Sequence, residues 1–168
     1  MEKALLTLNE LEASGIIARY AIGGAVAAYF YAEAVMTEDL DAFVLFSNKT
    51  TGLLTLTPIH EFLKARGATE HREHLAIAGT LVQVIPAYDA LTEDAVAQAV
   101  EKKVGQTSTR VMRAEHLIAI ALKTGRPKDH ARIKQLLEQA QVDARQLTDL
   151  LRRHQLIERW EKLKATTS

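Results

Sequence analysis

Apolar residues recur at helical spacing over residues 2–14, where Ala4, Leu5, Leu8 and Leu11 share one face and Ser14-Gly15 supplies the stop. The next segment, Ile16–Ile22, is short, apolar and partly β-branched, and runs through Gly23-Gly24 into alanine-rich Ala25–Glu33. It reads as strand, glycine turn and buried helix. Asp41–Phe46 (DAFVLF) predicts a mostly buried strand, with Ser47–Gly52 as the loop after it. Thr57-Pro58 opens a helix to about Ala65, striped by Ile59, Phe62 and Leu63. The runs Glu70–Ile77 and Thr80–Ile85, turning at Ala78-Gly79, predict a hairpin that Pro86 closes. Leu91–Val100 follows as an amphipathic helix capped by Thr92, and Thr109–Met112 as a brief edge strand. Beyond Arg113 the pattern is helical throughout. Gly125 and Pro127 divide the first two of four helices, and Asp143, with Gln146, caps the third. The expected architecture is α+β: a small mixed sheet flanked by helices over 1–112, then a C-terminal helical bundle over 113–168.

A chain of 168 residues can bury roughly two thirds of its unfolded surface, enough to fold without staples. The absence of cysteine removes disulfides, thiolate metal sites and cysteine nucleophiles together. Charge-free stretches such as Ala21–Ala32 and His74–Tyr88 fall short of the roughly 18 residues a bilayer span needs, so no membrane partner is expected. The Met-Glu-Lys start lacks the basic leader and apolar run of an export signal, and the chain reads as cytoplasmic. The net charge is zero, yet residues 1–100 hold 6 Lys or Arg against 13 Asp or Glu, a balance of −7, and the remainder 15 against 8, a balance of +7. Two readings follow: mutually attracting lobes with solvated basic helices, or an acidic lobe that holds divalent metal beside a basic lobe that faces phosphates.

Chemistry concentrates at two places. The pair Gly23-Gly24 at a strand-to-helix turn allows backbone to approach a polyphosphate, and Thr37-Glu38-Asp39-Leu40-Asp41 leads into the next strand. Asp39 and Asp41, two apart on an extended segment, point to one face, where both carboxylates can bind one Mg²⁺. The second place is Lys123–Asp129. Gly125, Pro127 and Asp129 are explained by helix punctuation alone, whereas Lys123, Arg126 and Lys128 clustered beside the turn suit a phosphate. Other chemistries find less support. His71 and His74 sit at odd spacing with no third ligand nearby, and His116 and His130 flank the basic segment as ordinary helix residues. Neither G-x-S-x-G nor a Walker P-loop is present. Tyr20, Tyr29, Phe30 and Tyr31 read as core or cleft wall.

The run IGGAVAAYFYAEAVMTEDLDAFV resembles the signature of the nucleotidyltransferase superfamily with its DNA-polymerase-β-like core. RAEHLIAIALKTGRPKDHARI is similar to the Lys, Arg and Lys-Asp segment of abortive-infection (AbiE-type) nucleotidyltransferase toxins and their relatives. The resemblance implies that Asp39 and Asp41 are the catalytic, Mg²⁺-holding carboxylates. It implies further that Gly23, Gly24 and Thr37, with Lys123, Arg126 and Lys128, receive the NTP, and that Asp129 supports the site. An RNA such as tRNA, or a protein side chain, would accept the nucleotidyl group, and a toxin–antitoxin setting would add a partner protein. One departure matters. Many members carry a third carboxylate on a neighbouring strand, but Leu81-Val82-Gln83-Val84-Ile85 has none, and Gln83 cannot accept a proton near neutral pH. Glu73 is a candidate substitute. One-metal catalysis, nucleotide binding without turnover, and a structural or antitoxin-like partner role therefore stand beside the enzyme reading.

Overall fold

In the computed structural model, which describes residues 1–33, 39–47 and 55–167, seven strands form one mixed sheet in the order β3-β4-β5-β2-β1-β7-β6. At its centre β1 (Ile17–Ile22) runs antiparallel to β2 (Asp39–Phe46), and β2 runs parallel to β5 (Thr80–Pro86) with Asp41 opposite Gln83. Alternation along β2 separates two faces. Leu40, Ala42 and Val44 are fully buried on one, and Asp39, Asp41 and Phe43 share the other.

Helix α1 (Glu2–Ala13) packs its Leu5, Leu8 and Leu11 stripe on β1, β7 (Thr107–Val111) and α3 (Thr57–Ala65). Strands β1 and β7 run parallel and are paired at one position, Ile22 opposite Val111, where both end. Side chains replace the missing ladder: the Tyr20 backbone N–H donates to the Glu12 carboxylate at 3.1 Å, and Arg110 Nε donates to the Tyr20 carbonyl at 3.3 Å. Helices α2 (Gly24–Tyr29) and α4 (Ala90–Ala97) pack on the central strands, and α5 (Ala114–Thr124) packs on both. Around α5 gather α6 (Pro127–Gln139), α7 (Ala144–Arg153) and α8 (Ile157–Thr167). Among the described residues no helix is long and apolar enough to cross a membrane.

Three details differ from the sequence reading. Glu70–Ile77 is not one strand: the chain turns at Arg72, with φ 57°, so β3 (Thr69–His71) and β4 (His74–Ile77) form a second hairpin. His71 and His74 therefore face each other across that hairpin. Helix α4 ends at Ala97, and Val100–Val104 is strand β6, paired with β7. Its alternating burial was hidden by the charges of Glu101, Lys102 and Lys103. The cap of α4 is Asp89, whose carboxylate accepts from the Thr92 N–H at 2.9 Å, so Thr92 is the third residue of the helix. The loop expected over Ser47–Gly52 lies outside the described residues after Ser47.

Candidate active site

Strand order brings the end of β1 and the start of β2 to the same rim of the sheet, since the two are antiparallel. The Gly23 N–H donates to the Asp41 carbonyl at 2.9 Å, which locks the glycine turn against the acidic strand. Both glycines are required by close approach. A Cβ on Gly23 would lie 2.6 Å from the Phe43 ring, and one on Gly24, at φ +60°, would lie 1.8 Å from Asp41 Oδ2. The missing side chain of Gly24 is thus the space that the Asp41 carboxylate occupies.

A cleft of about 440 Å³ opens at this rim. One wall carries Asp39, Asp41 and Gln83, with Glu73 and His74 of the β3–β4 hairpin above them. Arg126, Lys128 and Arg132 line the cleft from the α6 end, with Arg132 and Lys128 near enough to act on the Asp41 charge, and Phe43, Met112 and Leu117 give it an apolar lining. Because β2 and β5 are parallel and in register, Gln83 projects beside Asp41 on the same face. Burial pushes the Asp41 carboxyl up from its ordinary value, and nearby Asp39 adds to this, while Arg132, His74 and Lys128 oppose it. His74 Nε2 lies 3.9 Å from Asp39 Oδ2.

The cationic wall is organised by a buried acid. Asp129, 1% exposed, accepts hydrogen bonds from Arg126 Nε at 2.7 Å, Arg126 Nη2 at 3.1 Å and the Arg126 backbone N–H at 3.1 Å. Arg132 Nη1 lies 3.8 Å from Asp129 Oδ1, the oxygen that also accepts from Arg126 Nη2. Burial alone would raise the Asp129 carboxyl, but the Arg126 bonds outweigh it and hold the group below its ordinary value.

The structure brings Gly24, Asp39, Asp41, Arg126, Lys128 and Asp129 to one cleft, with Gly23 packed behind. Lys123 stands elsewhere: its ammonium pairs with Asp89 Oδ2 at 2.9 Å, at the start of α4. Thr37 lies outside the described residues. Sequence reasoning missed Arg132, although the signal was available, since residues 128, 129 and 132 fall on one helical face. A wider surface hollow of about 730 Å³ near Glu12, Arg19, Glu101 and Arg110 lacks this convergence, because Glu12 and Arg110 are bonded to each other and to the Tyr20 backbone.

The donors suit a hard divalent cation: two carboxylates on one strand face with an amide oxygen beside them, and the Asp41 carboxyl, pushed up by partial burial and by Asp39, is one whose charged form a cation would favour. Among the described residues no cluster of three or more His, Cys, Asp or Glu is placed to hold a metal, so Asp39 and Asp41 are the whole anionic share of such a set.

No protein-family model matches the chain, and no curated protein does. Solved structures do. The solution structure of the antibiotic-resistance factor ANT(2'')-Ia is similar over 99% of this chain and 98% of its own, with 15% identity and a TM-score of 0.54. The crystal structure of ANT(2'')-Ia in complex with adenylyl-2''-tobramycin is similar over 94% and 95%, with 16% identity and a TM-score of 0.53. An antigenic nucleotidyltransferase-like protein from Paracoccidioides brasiliensis follows at 13% identity and a TM-score of 0.49, over 97% of this chain and 90% of that one. The fold is nucleotidyltransferase-like.

Proposed function

We propose that this protein is a nucleotidyltransferase that binds an NTP with a divalent cation, Mg²⁺ in the cell, and transfers the nucleotidyl group to a hydroxyl of an RNA or of a protein side chain. The observation that carries this reading is the single cleft in which Asp39 and Asp41 face Arg126, Lys128 and Arg132 across the Gly24 turn. Asp39 and Asp41 would hold the cation, which when bound neutralises phosphate charge and fixes the α-phosphate for in-line attack. The chain's own groups do the rest. Gly24 keeps backbone low beside Asp41, and Phe43, Met112 and Leu117 offer an apolar floor beneath the nucleotide. The three cationic side chains receive the β- and γ-phosphates and stabilise the departing pyrophosphate as the new bond to the α-phosphorus forms. The tobramycin adduct held by ANT(2'')-Ia supports this chemistry for the shared fold and adds an aminosugar to the acceptors worth assaying.

With α-labelled NTP and Mg²⁺, label should pass to RNA, to protein or to an aminosugar, and Asp41→Asn should be silent. Failure of all four NTPs to bind in calorimetry with Mg²⁺ present would remove the reading. Gln83, standing where a third acid would be, favours a second reading, a nucleotide-binding module without turnover. It predicts the same Mg²⁺-linked binding with no transfer of label.

A further inference from the structure

We infer that the cleft is built for one divalent cation, and that the guanidinium of Arg132 supplies, as a permanent charge, what a second cation would contribute. The inference rests on the nucleotide reading and goes a step past it. A pair of divalent ions about 3.5–4 Å apart needs shared protein carboxylates, and the ion that the triphosphate does not itself carry needs a further anionic donor from the protein. Asp39 and Asp41 on β2 can supply the shared carboxylates. The neighbouring position that could supply the further donor is Gln83, beside Asp41 on β5, and it is neutral.

Among the described residues, the remaining acids of the cleft do not fill the gap. Asp129 is buried and takes three hydrogen bonds from Arg126. Glu73 stands on the β3–β4 turn and is exposed to solvent rather than set into the sheet. His74, at 3.9 Å from Asp39, adds no negative charge. The opposite wall is cationic, and Arg132 is its most sheltered member, with 20% of its side chain exposed against 54% for Arg126. Arg132 Nη1 lies 3.8 Å from Asp129 Oδ1, and both line the same cleft as Asp41. A second free cation would meet both a missing ligand and a fixed positive charge. A triphosphate would meet one mobile cation from the sheet side and a resident guanidinium from the helix side.

The number of Mn²⁺ ions bound per chain, read by electron paramagnetic resonance in the presence of each of the four α,β-methylene nucleoside triphosphates, tests this. The wild type should saturate at one ion, and Gln83→Asp, or Gln83→Glu if the shorter acid perturbs folding, should saturate at two. Arg132→Gln should still hold one ion but bind the analogue about tenfold more weakly. Two ions in the wild type with the analogue bound would sink this inference and leave the nucleotide reading standing. So would one ion in both folded Gln83 variants. No ion and no analogue bound would remove both.

Discussion

Asp41 and Gly24 are one device at the level of single residues. The carboxylate occupies the volume a side chain at position 24 would need, and the backbone there has φ +60°. Gly24→Ala should therefore cost more than left-handed strain alone, which is about 1–3 kcal/mol, because Asp41 must also move. Gly79→Ala is the control: its φ is +81° but nothing lies within 4 Å of the added methyl, so only the strain should appear. Urea unfolding of the two variants should rank them in that order, and Gly24→Ala alone should lose cation-linked nucleotide binding. Asp129 gives a second residue-scale prediction. Stripping Asp129 of its charge leaves Arg126 and Arg132 without it, but Arg126 is half exposed and can turn to water and Arg132 keeps Asp41 nearby, so Asp129→Asn should cost about 1–3 kcal/mol rather than the larger penalty of a stranded buried ion. The sign with pH is fixed by the depressed carboxyl. Its contribution is complete above the unfolded value near 3.9 and disappears as pH falls through the lower folded value, so the wild-type advantage over Asp129→Asn should shrink in acid.

At the level of elements, α7 is tied to the sheet-bearing part of the chain through one carboxylate. Asp94 Oδ2 on α4 lies 3.4 Å from His116 Nε2 on α5, 3.2 Å from Arg153 Nη1 at the end of α7, and 3.6 Å from His154 Nε2 just beyond it. Burial depresses the His116 imidazole, and its bond to Asp94 only partly opposes this. The unfolded state then binds more protons than the folded one between the depressed value and about 6.5. Stability should rise with pH through that window and fall on acidification. Comparing pH 7.5 with 5.5 by urea midpoint, His116→Gln should show a smaller loss than the wild type. Much of this element order was legible in the sequence, because α1, α3 and the helices after Arg113 carry clean apolar stripes and strong stops such as Gly125-Arg126-Pro127. The misses have physical causes. Strand β6 hides its alternation behind lysines on an edge, and the β3–β4 turn uses Arg72 at positive φ, where sequence rules look for glycine. Asp39 and Asp41 could be placed on one face from spacing alone. That Arg132 would meet them and Lys123 would not depended on how α5 and α6 cross, which no local pattern encodes.

Across the whole molecule the two oppositely charged stretches of sequence meet at the cleft. The acidic part of the chain supplies Asp39 and Asp41, and the basic part supplies Arg126, Lys128 and Arg132. Neither wall presents a finished site alone, so a ligand that bridges them binds the folded state and not the unfolded chain. At a free concentration near 100 times the dissociation constant, such a ligand adds about 2.7 kcal/mol to stability. For a chain of this size each kcal/mol raises the midpoint by about 2–4 °C, which places the expected rise at about 5–10 °C. The rise should need cation and nucleotide together, because the triphosphate alone brings its negative charge to Asp39 and Asp41, and among the described residues the cation alone has those two carboxylates to hold it. Differential scanning fluorimetry across Mg²⁺ alone, NTP alone and both resolves the three cases. Equal shifts with and without Mg²⁺ would mean that the phosphates sit on the arginines without reaching β2. Raising salt should shrink the combined shift, since Arg126 and Lys128 are exposed to screening ions. Arg126→Gln should shrink it further and Lys123→Gln should leave it unchanged, because the Lys123 charge is committed to Asp89 outside the cleft.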